Sequence, residues 1–344
     1  MKILYAIQGT GNGHLSRAKD IIPALEMRAQ VDILVSGQQA DITLPFEVKY
    51  RFKGLSFIFG KKGGIDFYAT YKRNNLKELL KEFKSCPVED YDLIINDFEP
   101  ISAWSAKTKG VPCISLSHQC SLFSENVPKP THKDFISNLI LKFYAPCSQN
   151  YGFHFKKYNQ NIFTPVIRKE VRELEETDEG HFTVYLPAYS DEKIIKVLSE
   201  LPLVKWHVFS KHSKQAYTIN NINISPINGE LFGQSMASAT GVLCGAGFET
   251  PAEAMYLNKK LMVIPMSGQY EQHYNAEALK EFGVLVLKKL KKKHVERIKS
   301  WVENDKKISI FFPNQTQCVV DKVLEDFIKS PQLTYKKNYT VSLS

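Results

Sequence analysis

The first residues with evident chemical potential lie in Gly9-Thr10-Gly11-Asn12-Gly13-His14, with Arg17 three positions on. An imidazole is the usual proton acceptor near neutral pH. A glycine turn that runs into a helix aims backbone N–H groups at whatever sits above it. Two familiar motifs are excluded. The dinucleotide fingerprint needs glycine where His14 stands, and the Gly-Lys-Ser/Thr step of a Walker A loop is absent. His14 is therefore either a base or a residue that caps the helix and packs in a cleft. Arg17 either meets an anionic ligand such as a phosphate, or forms a surface salt bridge. Asp97 and Glu99, in "NDFEP", leave the end of a buried strand. Either carboxylate could orient His14 or act as the base itself, and at least one should cap the helix after Pro100. His118 and Gln119 follow the next strand on the same rim, where His118 lines a ligand pocket or serves structure alone.

A second group falls in "GVLCGAGFETPAEAMYLNKKLMVIPMSGQYEQHYNAEAL" (241–279). Gly245 and Gly247 end a strand and let backbone approach a ligand. Thr250 is a good N-cap, Pro251 suits the first helical position, and the helix N-terminus suits a diphosphate. Glu253 closes a T-x-x-E capping box or accepts hydrogen bonds from ribose hydroxyls. Glu271, Gln272 and Asn275 open another helix, where carboxylate and amide groups either pair with vicinal sugar hydroxyls or cap the helix.

These residues need strand ends to hold them. Lys2–Ile7 reads as a buried strand, and Leu15, Ala18, Ile22 and Leu25 recur at helical spacing. Strand-like and helix-like segments alternate through "VDILVS" (31–36), "FEVKYRF" (46–52), "LSFIF" (55–59), "NNLKELLKEFKS" (74–85), "YDLIINDFEP" (91–100), "ISAWSAKTKG" (101–110) and "VPCISLSHQ" (111–119). Such alternation predicts α/β architecture with a doubly wound parallel sheet. A charged stretch at 164–180 reads as a linker, and alternation restarts at "HFTVYLPA" (181–188). The expected division is a first domain at 1–163, a second at 181–329 and a loose tail at 330–344.

The pattern G-x-x-T-x-x-E, then apolar-Pro, then D/E-Q-x-x-N-A resembles that of GT-B glycosyltransferases. It is similar to the family 1 and family 28 branch, which includes macrolide-type transferases and the N-acetylglucosaminyltransferase of peptidoglycan synthesis. The Gly-His step at 13–14 agrees, and the resemblance runs from Met1 to about Lys329. It implies two Rossmann-like domains facing across a cleft, the second holding a nucleotide diphosphate sugar. Gly245, Gly247 and Thr250 would lie near the diphosphate, Glu253 on the ribose, and Glu271 and Gln272 on the donor sugar. His14 would be acceptor base or site organiser, with Gly11, Gly13, Arg17 and His118 about the acceptor. The implied reaction is inverting transfer to a hydroxyl, with UDP the commonest carrier in that branch and no required metal or other cofactor. The base would lie against "SPINGELF" (225–232). Three features depart from the pattern: no histidine opens "CGAGFE", Glu271 stands for the commoner aspartate, and "HLSR" lacks proline. Gly-His-x-x-Arg also resembles the turn of nucleotide-sugar hydrolases of nonulosonate synthesis. Hydrolysis or epimerisation on the same fold, and non-catalytic nucleotide-sugar binding, are the alternatives.

Composition narrows the partners. Of 344 residues, 43% are hydrophobic, enough to fill two cores. No run reaches the roughly 18 apolar residues of a membrane span, and Gln8 interrupts the first apolar run too early for a signal peptide. A cytoplasmic protein is expected. The six cysteines (86, 113, 120, 147, 244 and 318) form no C-x-x-C pair and read as reduced, mostly buried residues. Net charge is +9, and lysines cluster in "LKKLKKKHVERIK" (287–299). That run is a solvated face or a flank for anionic lipid at the inner membrane face; no RNA-binding or helix-turn-helix pattern supports nucleic acid. The apolar and basic stretch "SFIFGKKGGIDFYATYKR" (56–73) points to a lipid-linked or aromatic acceptor. Metal-binding D-x-D belongs to another glycosyltransferase fold, so Asp97-Phe98-Glu99 is not read as a metal site.

Overall fold

A computed structural model describes residues 1–37, 44–55, 76–131 and 141–330. The stretch read as an acceptor loop (56–73), most of the strand expected at 55–59, and all but the first residue of the expected tail lie outside them.

The first sheet carries β1 (Lys2–Gln8), β2 (Gln30–Ser36), β3 (Tyr50–Phe52), β4 (Leu93–Asp97), β5 (Cys113–Ser117), β6 (Gln149–Phe153) and β7 (Ile162–Phe163). Its order is β3-β2-β1-β4-β5-β6-β7, parallel throughout. Ile3 to Ile7 are fully buried, as a parallel strand covered on both faces requires. Its described helices include α1 (Asn12–Glu26), α2 (Leu76–Ser85), α3 (Pro100–Lys109) and the single turn α4 (His118–Ser121). Leu79 and Phe83 of α2 pack on the core formed by Leu4, Ile94 and Ile101.

The second sheet carries β8 (His181–Tyr185), β9 (Lys205–Ser210), β10 (Tyr217–Ile219), β11 (Ile222–Pro226), β12 (Gly241–Gly245), β13 (Lys260–Ile264) and β14 (Leu285–Val286). Its order is β10-β11-β9-β8-β12-β13-β14, with only the β10–β11 hairpin antiparallel. Its helices are α5 (Lys169–Arg172), α6 (Asp191–Leu198), α7 (Gly229–Ser238), α8 (Glu249–Tyr256), α9 (Tyr270–Lys280) and α10 (Val295–Glu303). Its core gathers Phe182, Trp206, Leu243, Met262 and Trp301. The α/β reading with two doubly wound sheets is thus observed.

Among the described residues, contacts gather Met1–Val127, the strands up to Val166 and residues 314–330 into one unit, and residues 128–131 with Ile167–Pro313 into another. The last helix, α11 (Thr316–Lys329), packs on α1. Arg28 pairs with Asp321 at 3.0 Å, and Tyr151 donates to Asp326 at 2.6 Å. The expected second domain ran through to 329; α11 instead completes the first sheet's unit, because its apolar stripe of Val319, Val320, Val323, Leu324 and Phe327 is buried there. All six cysteines are free thiols; Cys86, Cys113 and Cys244 are buried, Cys120 and Cys147 half-buried and Cys318 exposed.

Candidate active site

In the first unit, Gly9 is fixed by packing, since a Cβ there would sit 2.9 Å from the Ser36 carbonyl oxygen. Gly11 is extended and N-caps α1, and a Cβ on it would meet nothing within 4 Å. Helix α1 then presents His14 and Arg17 one turn apart on the same face. Both reach Asp97, the last residue of β4. Asp97 is fully buried and Arg17 is 2% exposed. One guanidinium nitrogen of Arg17 (NH2) donates to both Asp97 oxygens at 2.8 Å. His14 Nδ1 lies 2.9 Å from Asp97 Oδ1. A carboxylate partner requires Nδ1 to carry the proton, which leaves the Nε2 lone pair as the basic position. The Gln119 side-chain amide lies 3.3 Å from Nε2 and fits that tautomer as a donor.

Burial pushes the Asp97 carboxyl up, but the Arg17 charge and the hydrogen bonds from His14 and Arg17 outweigh it and hold the group below its ordinary value. The Arg17 guanidinium also sits over the Phe153 ring, 5.5 Å from its centroid. Arg17 was expected at the acceptor or on the surface; it is instead a buried partner of Asp97.

Glu99, two residues on, has a different place. It caps α3, accepting from the backbone N–H groups of Ile101 and Ser102, each at 2.7 Å. Ser36 donates to it at 2.6 Å. Burial raises its pKa even though these donors lower it. Asn96 brackets the turn, donating to the Glu99 carbonyl at 2.7 Å and accepting from the Glu99 N–H at 3.0 Å. Between the two acids Phe98 takes a left-handed φ of 57°, its ring 4.8 Å from that of Tyr144. His118 is 1% exposed and its Nδ1 donates to the Phe153 carbonyl at 2.8 Å, so it faces the interior. Gln119, its neighbour on the same turn, is the one that reaches His14.

In the second unit, Gly245 ends β12 and α8 begins at Glu249, with Phe248 as N-cap residue and no side-chain cap. Thr250 is therefore inside the helix rather than capping it, and of the two readings of Glu253 the T-x-x-E box does not form. Pro251 is still tolerated, because the first four helical N–H groups have no intrahelical acceptor. A Cβ on Gly247 would meet nothing within 4 Å, and one on Gly245 only the Gln272 amide at 3.5 Å. Asn275 donates to the Ala246 carbonyl at 3.1 Å, tying α9 to this turn.

Glu253 is buried and holds Arg168, whose Nε and NH2 donate to its two oxygens at 2.5 and 2.8 Å. Burial disfavours the Arg168 charge, yet Glu253 raises its pKa above the usual arginine value. No sequence signal marked Arg168, which stands 85 residues away from its partner. Gln272 accepts from the Met266 N–H at 2.9 Å and donates to Gln269 at 2.8 Å, while Glu271 is half-buried. Among the described residues, no group of three or more His, Cys, Asp or Glu could hold a metal ion, and no helix is long and apolar enough to cross a membrane.

The family described as glycosyl transferase family 1 matches residues 1–304. No curated protein sequence matches this chain. Among solved structures, the MurG of Acinetobacter baumannii is 16% identical, with a TM-score of 0.56 over 94% of this chain and 99% of that one. UGT2 of Phytolacca americana, solved with UDP-2-fluoro-glucose and pterostilbene, is 12% identical, with a TM-score of 0.57 over 94% and 93%. A UDP-N-acetylglucosamine 2-epimerase is 12% identical, with a TM-score of 0.54 over 96% and 97%. At these identities the likeness is one of fold, and that fold is GT-B.

Proposed function

The chain belongs to glycosyl transferase family 1, and from that premise we propose that this glycosyltransferase moves a sugar from a UDP-sugar to an acceptor hydroxyl with inversion. What carries the reading is the His14–Asp97 dyad: a buried, ionised carboxylate fixes the imidazole with Nδ1 protonated and Nε2 basic. His14 Nε2 takes the acceptor's hydroxyl proton as the acceptor oxygen bonds to the anomeric carbon. The bond from that carbon to the diphosphate breaks, and the nucleoside diphosphate leaves with the electron pair. Asp97 orients the imidazole and balances its charge once protonated. Arg17 keeps Asp97 ionised, and Glu99 shapes the turn rather than moving a proton.

The second unit holds the donor. The N–H groups at the start of α8, beside Gly245 and Gly247, take the diphosphate. Glu253 takes the ribose, Glu271 and Gln272 the sugar, and the base lies along 225–232. No metal is needed; unchanged turnover in excess chelator is the expected result, and activity rescued by manganese would overturn it. The exposed lysines of 288–293 support peripheral binding to anionic lipid, and with it a lipid-linked acceptor. Salt-sensitive co-sedimentation with phosphatidylglycerol vesicles checks the membrane part.

The first test is thermal unfolding with UDP, dTDP and GDP, on the wild-type chain and Glu253→Gln. A ligand at 100 times its dissociation constant adds about 2.7 kcal/mol. A UDP-specific gain that is lost in the variant is the expected result. No gain with any nucleotide would remove the donor assignment. Consumption of UDP-sugar without any acceptor would move the reading to hydrolysis.

A further inference from the structure

The buried pair between Arg168 and Glu253 takes no part in the proton transfer above, yet it occupies the carboxylate assigned to the ribose. Both oxygens of Glu253 accept from one guanidinium, and the two side chains are only 3% and 16% exposed. Arg168 is the second residue of the Ile167–Pro313 segment and immediately precedes the one-turn helix α5. Glu253 sits one turn into α8, the helix whose N-terminus is assigned to the diphosphate, and Glu249 in that helix's first turn also acts on the Arg168 charge. A planar guanidinium fork fits a phosphate as well as it fits a carboxylate. Leaving either charge buried and alone is strongly unfavourable, so the pair opens only when both partners receive replacements.

We propose that Arg168 is an exchange residue of the donor site. It holds Glu253 while the site is empty and passes to the donor's diphosphate as the ribose hydroxyls take over the carboxylate. This rests on the donor assignment above. A nucleoside diphosphate supplies both replacements at once. A bare nucleoside supplies only hydroxyls and would strand the guanidinium, so the site reads the diphosphate before it accepts the ribose.

The test is titration calorimetry on the full chain with matched pairs: uridine and UDP, thymidine and dTDP, guanosine and GDP. Arg168→Gln should weaken the diphosphate that the wild-type chain binds by about tenfold or more, the scale of a lost charged hydrogen bond. The same variant should bind the matching nucleoside severalfold more tightly, because Glu253 no longer has to be released. These opposite signs are the signature of exchange. An equal loss for both ligands, as from damaged structure, overturns it, and so does a nucleoside affinity that does not change; in either case the donor site itself stands. Failure of every diphosphate to bind the wild-type chain overturns both the exchange and the donor assignment. Should Arg168→Gln not fold, Arg168→Lys keeps a positive charge but loses the two-point grip on both Glu253 and the diphosphate, and must show the same opposite signs at smaller size.

Discussion

The turn from β4 into α3 and the turn from β12 into α8 occupy the same place in their sheets. Each leaves the strand next to the sheet's first strand in chain order, β1 or β8, on the side away from β2 or β9. In the first, Glu99 lays its carboxylate across the helix N-terminus and Phe98 bends left-handed to allow it. In the second, Gly245-Ala246-Gly247 brings no charged side chain, and the N-cap residue Phe248 offers no cap. One helix end is closed by the chain's own anion, while the other, with Glu249 in its first turn, has no side-chain cap and is left on our proposal to the donor's diphosphate. Position in the fold makes an anion site available, and the side chain in the turn decides whether the protein fills it. The first turn is then free to present Asp97, and with it His14.

The strongest way to break that division of labour is His14→Ala. Turnover should fall by about 10²–10⁴, the usual worth of a general base, while UDP affinity holds. Steady-state rates set beside calorimetric affinities check this, and a matching loss of affinity would mean the two turns do not divide the work. Next is Asp97→Asn, which leaves Arg17 buried without its anion. Unfolding by urea near neutral pH should show a loss of about 3–5 kcal/mol. Its pH dependence carries a sign. The folded pKa of Asp97 is depressed, so its contribution is full above the unfolded value near 3.9 and fades as pH falls through the folded value. The gap between wild type and variant should thus stay constant down to about pH 4 and close below it.

Glu99→Ala should cost about 0.5–2 kcal/mol, the range for a lost N-cap, with the urea midpoint as readout. A drop in turnover as large as that of His14→Ala would instead make Glu99 the base. The smallest effect on folding should come from Gly247→Ala, within about 0.5 kcal/mol, because the added methyl meets nothing and φ lies outside the left-handed region. Nucleotide affinity should nevertheless fall in that variant. An unchanged affinity would mean that no ligand approaches this turn.

The strands, the glycine turn and the helix after it were legible because periodicity and turn chemistry are local. The reading that one acid of "NDFEP" caps the following helix was local too, and Glu99 does so. What escaped were the partners. Arg17 and Asp97 are 80 residues apart and Arg168 and Glu253 are 85, and nothing in either neighbourhood announces the other. Thr250 misled because Thr-Pro is a good start signal, but α8 begins two residues earlier, at Glu249 rather than Pro251. His118 and Gln119 were placed on one rim; a single step of phase at the end of β5 turned the histidine inward and the glutamine toward His14. The amphipathic pattern of α11 was readable, but the surface it covers was not.

That last helix has a consequence for biosynthesis. The unit carrying His14 and Asp97 draws its final helix from beyond residue 313, so it stays incomplete on the ribosome while the whole of the second unit is translated. At about 5–20 residues per second this delay is on the order of ten seconds. Throughout it the surface of α1 that α11 will cover remains open, and the half of the enzyme begun first is the half finished last.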